Sequence, residues 1–244
     1  GKMLALDDMV MTTIKDEFHY HEMISHPSLF TLQNAKNVLV IGGGDGGTVR
    51  EVLRHSNIEK VTMVEIDGEV IKACKEHLPE IAAAFDDPRL ELIVDDGIAF
   101  VKNAPDAVYD LLIVDGSDPV GPAEGLFSVD FYQNCYRTLK ADGILVAQGE
   151  SPKFNEKAFS ELNQTLQSIF GANNAPVGLF FVPTYPTGMW SFQYGLKGSV
   201  DPRKVTNTDA IKSFVAEKGL RYYNEDIHFS TFALPNFVKQ LIQF

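Results

Sequence analysis

Residues Val38 to Val49 read VLVIGGGDGGTV, and no other stretch constrains the fold as much. Four apolar residues, Val38 to Ile41, form a buried strand that runs straight into Gly42, Gly43 and Gly44. Asp45, Gly46 and Gly47 follow, before a helical pattern through Arg50 and Leu53. Gly42 permits a tight turn after the strand. Gly44 lets a ligand approach the backbone, and Gly47 allows close helix packing. The helix start leaves unpaired N–H groups beside that ligand. A G-x-G-x-x-G pattern is weak alone; between a strand and a helix it points to a nucleotide-type site.

From Lys36 onward the pattern alternates strand and helix. Strands are expected at Val38–Ile41, Lys60–Ile66, Leu90–Val94, Tyr109–Val114 and Ile144–Ala147, with two more at Val177–Val182 and Trp190–Leu196. Helices are expected after Asp45, at Gly68–His77, after Asp96–Gly97, and at Val129–Leu139, Glu156–Phe170 and Asp209–Glu217. Lys140–Gly143 reads as a turn. Before this region, Met3–Met11 reads as a hairpin turning at Asp7 and Asp8, and Asp16–His26 as a helix that His26-Pro27 ends. The tail reads as a strand at Phe229–Leu234 and a short terminal helix. Inner strands this continuously apolar belong to a parallel sheet covered on both faces. The expected class is α/β, a doubly wound, mostly parallel sheet.

In such sheets ligands sit beyond the carboxyl ends of the strands. Acidic residues fall there: Asp45 after the first strand, Glu65 and Asp67 after the second, Asp95 and Asp96 after the third. Asp115 and Asp118 follow the fourth, and Gln148 and Glu150 the fifth. Helix capping alone explains Asp45, Asp67 or Asp96. It explains Asp115 less well, because the next helix starts many residues later. Glu65 lies 23 positions after Gly42, where an acidic residue holds a ribose diol. Asp96 beside Gly97 suits an adenine amino group. Asp45 at the glycine turn repels a pyrophosphate and suits a sulfonium nucleoside. No Lys-Ser/Thr of a P-loop follows the glycines.

The charge balance agrees. Acidic residues number 33 against 21 basic ones, a formal net charge of -12. That speaks against nucleic acid and for a cationic partner, since acidic clefts focus cations. His19 and His21, at i,i+2, do not make a helix-borne metal site, and no metal is expected. Cys74 and Cys135 lie in helical patterns and read as buried thiols. No stretch is long and apolar enough to span a bilayer, and a cytoplasmic location is expected.

The motifs taken together resemble the spermidine synthases, the polyamine aminopropyltransferases. The stretches are DEFHYHEM at Asp16–Met23, VLVIGGGDGG at Val38–Gly47, VEID at Val64–Asp67 and DDG at Asp95–Gly97. YDLLIVDGSDPVGPAEGLF at Tyr109–Phe127, QGES at Gln148–Ser151, PTYPTGMWSF at Pro183–Phe192 and FALPNF at Phe232–Phe237 complete the set. The resemblance implies a Rossmann-like sheet of the methyltransferase type over residues 16–244. It also implies a small N-terminal β domain that is largely missing here, with residues 1–15 as its remnant. Met11 stands where the family commonly has Gln, and Gly116 departs from the usual D-S-x-D-P while leaving both carboxylates.

The implied reaction moves an aminopropyl group from decarboxylated S-adenosylmethionine, a co-substrate, to putrescine. The products are spermidine and 5'-methylthioadenosine, and no cofactor is needed. The attacking amine needs a free lone pair, yet an aliphatic amine titrates near ~10. Asp115 is the expected proton acceptor. Tyr20, His21, Asp118, Gln148 and Tyr185 are expected to bind the polyamine, with Tyr20 or Tyr185 also fixing Asp115. Asp45, Glu65, Asp95, Asp96 and Gly97 are expected to bind the donor or methylthioadenosine. Trp190 and Phe192 serve equally as channel wall or core. Expected partners are a small cationic polyamine and a sulfonium nucleoside, with assembly as a homodimer or homotetramer and no nucleic acid or membrane. The alternatives are an S-adenosylmethionine-dependent methyltransferase, aminopropyl transfer to another acceptor, and a nucleoside-binding scaffold without catalysis.

Overall fold

In the computed structural model, which describes residues 1–117 and 125–243, the alternating segments form one seven-stranded sheet. Its strands are β3 (Asn37–Gly42), β4 (Lys60–Glu65), β5 (Leu90–Val94), β6 (Tyr109–Asp115), β7 (Leu139–Gln148), β8 (Val177–Phe181) and β9 (Met189–Leu196). Their order is β5-β4-β3-β6-β7-β9-β8. The first five run parallel, and β9 is antiparallel to both of its neighbours. From β3 the chain winds outward through β4 to β5, then returns to lay β6 on the other side of β3. This reversal opens a crevice at the carboxyl ends of β3 and β6, where Gly42 pairs with Asp115.

Both faces of the sheet are covered, as its apolar strands require. Val38, Val40, Leu111, Ile113, Ile144 and Val146 point into one core; Leu39, Ile41, Leu112, Val114, Leu145 and Ala147 point into the other. The first core packs on α1 (Glu17–Thr31), α2 (Gly47–Leu53) and α3 (Gly68–His77). The second packs on α4 (Gly97–Asn103), α5 (Val129–Thr138) and α6 (Glu156–Phe170). Cys74 and Cys135 are buried free thiols on opposite faces, so the sheet itself keeps them apart. Ahead of the sheet, β1 (Met3–Leu6) and β2 (Met9–Thr13) form a two-stranded hairpin. Asp7 and Asp8 turn it with positive φ, the geometry of a tight two-residue hairpin loop. Among the described residues no helix is long and apolar enough to cross a membrane.

Three local expectations are corrected. First, α1 does not stop at His26-Pro27 but continues to Thr31. A proline inside a helix costs about 3 kcal/mol. Here every residue from Tyr20 to Leu29 is buried, and that packing holds the last turn helical. Second, Lys140–Gly143 is an irregularity within β7, opposite Asp110, rather than a turn before it. Asp110 pins it by accepting from Lys140 Nζ at 2.9 Å while also taking the Lys36 and Asn37 amides. Third, Phe229–Leu234 is not a strand. Asn224 caps a helix, α8 (Glu225–Ser230), by accepting from Ile227 N at 2.8 Å. Thr231 still reaches β8, its carbonyl accepting from Leu179 N and its hydroxyl donating to the Leu179 carbonyl, while its own N–H stays with Ile227. Two further helices, α7 (Thr208–Lys218) and α9 (Asn236–Leu241), complete the tail.

The tail is tied to α1 by a buried carboxylate. Glu22 accepts the backbone N–H of Arg221 at 3.0 Å and those of Tyr222 and Tyr223 at 2.8 Å. Glu22→Gln points an amide N–H at one of these donors and removes the charge behind all three bonds. A loss of about 3 kcal/mol in urea denaturation is expected.

Candidate active site

The glycine turn positions everything else. Gly42, Gly43 and Gly46 all have positive φ, which glycine alone adopts freely. The turn brings Gly43 N to 3.0 Å from the Asp115 carbonyl oxygen. It also leaves no room for side chains. A Cβ on Gly43 would lie 2.9 Å from Asp115 Oδ2, and one on Gly44 2.9 Å from Glu65 Oε2. The Glu65 carboxylate lies against Gly44, and Gly47 packs on the His21 ring, with its Cβ site 2.6 Å from Cγ.

Asp115 sits half-buried at the end of β6. Its two oxygens are divided between two hydroxyls: Tyr20 donates to Oδ1 and Thr48 to Oδ2, both at 2.6 Å. Burial, then the Asp45 charge, raises its pKa; His21 and the two hydroxyls hold that rise back. Tyr20 is buried against Phe180, Tyr185 and Phe192, so its hydroxyl is a fixed pointer rather than a mobile one. Thr48 was not singled out in the sequence, although its place in the first turn of α2 follows from the glycines.

Asp45 faces the same crevice. Its Oδ1 accepts from Gly47 N at 2.9 Å, so it does cap the turn, and its Oδ2 lies 3.3 Å from His21 Nε2. The other ring nitrogen, Nδ1, lies 2.6 Å from Glu17 Oε2. Burial works against a charged His21 ring, but Asp45 and Glu17 outweigh it and push its pKa up to about 10. Burial likewise opposes ionised Asp45, whose pKa His21 and the Gly47 amide nevertheless lower. His21 is thus held between two carboxylates. Glu17, which sequence reading passed over, completes this row.

The carboxylates expected to bind the donor gather at the ends of β4 and β5. Glu65 is half-buried, and burial raises its pKa. The backbone brings Asp95 N to 3.1 Å from the Glu65 carbonyl. Asp95 and Asp96 are exposed, and Gly97 is buried against Ile41. Asp96 caps α4 through Oδ1, accepting from Ile98 N at 2.8 Å and from Ala99 N at 3.4 Å. Beside these carboxylates, Ile66 and Val94 stand 59% and 58% exposed, large apolar side chains at two adjacent strand ends. Such exposure where a ligand is expected supplies a flat apolar wall. The sequence held that signal in Ile66, read there only as the end of a strand.

On the other side of Asp115, Gln148 ends β7, buried, with its Nε2 donating to Glu150 Oε1 at 3.1 Å and its Oε1 accepting from Glu150 N at 2.8 Å. Tyr185 sits 6.1 Å from Tyr20, ring to ring, and its hydroxyl donates to the Met11 carbonyl at 2.6 Å. Trp190 and Phe192 are both buried in the core. Asp118 lies outside the described residues. Among those described, no three His, Cys, Asp or Glu side chains form a group that could hold a metal.

Comparison with known proteins gives this arrangement its context. The Spermine/spermidine synthase domain matches residues 17–204. A polyamine aminopropyltransferase of Caldicellulosiruptor saccharolyticus is 49% identical over 243 residues, covering 100% of this chain and 84% of that one. Its counterpart from Moorella thermoacetica is also 49% identical, covering 100% and 83%. A crystal structure of spermidine synthase with the transition-state analogue AdoDATO superposes with a TM-score of 0.93 at 43% identity, covering 98% of this chain and 80% of that one. The spermidine synthase of Thermotoga maritima gives 0.92 at 42%, covering 98% and 79%. With these matches running the length of the chain and the carboxylates gathered at one sheet edge, the chain belongs to the spermine/spermidine synthase family and is a polyamine aminopropyltransferase.

Proposed function

We propose that this enzyme transfers the aminopropyl group of decarboxylated S-adenosylmethionine to putrescine, releasing spermidine and 5'-methylthioadenosine. The observation that carries this reading is the Asp115 carboxylate, oriented by two hydroxyls at the reversal of the sheet and raised in proton affinity by burial and by Asp45. A base so tuned can take a proton from an amine about to attack. The amine nitrogen forms a bond to the methylene beside the sulfonium, that carbon–sulfur bond breaks, and the thioether leaves neutral. The amine's proton goes to Asp115. Alignment of the two substrates supplies much of the remaining acceleration.

In this reading Glu65 takes the ribose diol, Asp95, Asp96 and Gly97 the adenine side, and Ile66 and Val94 flank the base. Asp45 faces the aminopropyl ammonium. The carboxylate of intact S-adenosylmethionine would meet Asp45 as a like charge, which favours the decarboxylated donor. Asp118 aims the attacking amine, with Gln148 and Tyr185 along the acceptor's path. His21 acts through Asp45. The test is a paired incubation of putrescine with each form of the donor, followed by chromatography. Methylthioadenosine and spermidine from the decarboxylated donor alone are expected. S-adenosylhomocysteine from the intact donor would make the enzyme a methyltransferase and overturn the reading of Asp45. Turnover with spermidine or cadaverine but not putrescine would reassign the acceptor.

A further inference from the structure

Glu17, His21 and Asp45 form a row that leads out of the reaction pocket. Glu17 and His21 stand one helical turn apart on α1, and Asp45 closes the row from the glycine turn. All three are nearly enclosed, their side chains 5%, 4% and 12% exposed. Beyond Glu17 the row ends in guanidinium groups: Arg50 Nη2 lies 2.7 Å from Oε2, and Arg221 Nη2 3.4 Å from Oε1. Burial opposes an ionised Glu17, but the His21 ring and then Arg50 lower its pKa. The ring of His21 therefore has an ionised carboxylate at each nitrogen. Ionised carboxylates only accept hydrogen bonds, so both ring nitrogens must carry protons. Gly47 packs against the ring, with no space for a Cβ between them.

We infer that Glu17 is a positioning residue for aminopropyl transfer, holding His21 as an imidazolium between itself and Asp45 so that the reaction pocket carries its own fixed cation. The inference rests on the assignment of Asp115 as the proton acceptor. Its consequence follows from charge. Asp45 and Asp115 place two carboxylates in one recess, and each makes the other harder to ionise. Asp115 feels this directly, since burial and Asp45 raise its proton affinity while His21 lowers it. The imidazolium keeps Asp115 able to accept a proton, and with the sulfonium it favours loss of the proton from the attacking amine. The groups facing His21 are Glu17 and Tyr20 on α1, Asp45 before α2 and Asp115 on β6, while Arg50 and Arg221 face the far side of Glu17.

The test is Glu17→Gln, which keeps a hydrogen-bonding group at Nδ1 and removes its charge. His21 then loses its proton nearer the ordinary histidine range, and the cation disappears around neutrality. The ratio of variant to wild-type kcat is expected to fall about tenfold as the pH rises through the ordinary histidine range, where the cation is lost, and to recover below it, where His21 is protonated in both proteins. A purely structural role lowers kcat evenly at all pH values and leaves that ratio flat, which would overturn the inference. The wild-type protein gives an independent reading through nitrogen NMR of the His21 ring. Two protonated ring nitrogens from about pH 6 to about pH 9 are expected; a neutral tautomer in that range overturns the inference without any variant. Full activity in Asp115→Asn would instead remove the underlying assignment of the base, a result separate from either readout on Glu17 and His21.

Discussion

Asp115→Asn is expected to lower kcat by about 10³-fold, measured as methylthioadenosine formed in a single turnover with donor and acceptor saturating. The substitution keeps the shape of the side chain and removes its capacity to take a proton. It also turns an NH₂ toward Tyr20 or Thr48, whose hydroxyls each donate to one Asp115 oxygen in the native protein. The backbone bond from Gly43 N to the Asp115 carbonyl is untouched, so the strand pairing of β3 and β6 survives. Stability moves the other way. Burial and Asp45 both oppose an ionised Asp115, and a neutral Asn relieves that conflict. The variant is expected to melt at or above the wild-type temperature while losing its chemistry. Loss of activity accompanied by loss of fold would leave Asp115 a structural anchor, and a rate near wild type would remove it as the base.

Much of the sheet was legible because its strands are buried on both faces and so read as unbroken apolar runs. The strands β3 to β6 are expected within one residue of where they lie, and only the start of β7 is misplaced. The glycine turn was legible because only glycine tolerates its backbone. Strand-end carboxylates were legible as a set, since the carboxyl edge of a parallel sheet is where both caps and ligands collect. What escaped depends on partners distant in sequence. Pro27 looked like a stop because its neighbours gave no sign that the whole turn is buried. Phe229–Leu234 reads as a strand because its apolar residues dominate the local pattern, while the Asn224 cap that starts the helix lies upstream of it. The partners of His21 escape too, since nothing in DEFHYHEM says that Asp45 meets one ring nitrogen while Glu17, one turn back, holds the other. The i,i+4 spacing of Glu17 and His21 was the available clue. Thr48 could be found only once β6 was known to lie beside β3.

Gly42→Ala tests whether that juxtaposition of β3 and β6 is as tight as the geometry implies. Gly42 has φ +83°, and an added Cβ there would collide with the Asp115 carbonyl oxygen and lie 2.9 Å from its carbonyl carbon. These are backbone atoms in the centre of the sheet, and the same oxygen already accepts from Gly43 N. No side chain can swing aside, so relief requires prying β3 from β6. Left-handed strain contributes roughly 1–2 kcal/mol and overpacking roughly 1–3 kcal/mol, giving an expected loss of about 3 kcal/mol in urea denaturation. Gly219→Ala separates the two causes. Gly219 caps α7 with φ +65°, and a Cβ there would meet nothing within 4 Å, so it suffers the strain without the collision. A loss of about 1 kcal/mol is expected at that position, with activity unchanged. In Gly42→Ala the fraction that stays folded is expected to be nearly inactive as well, because any shift of the Asp115 backbone carries its carboxylate off the line of attack, and a displacement of about 1 Å costs roughly 10²-fold in rate. Equal losses at the two glycines would mean that backbone strain alone matters and that the contact between β3 and β6 has slack. A larger loss at Gly42, with activity falling further than stability, would tie the glycine turn directly to the placement of the base.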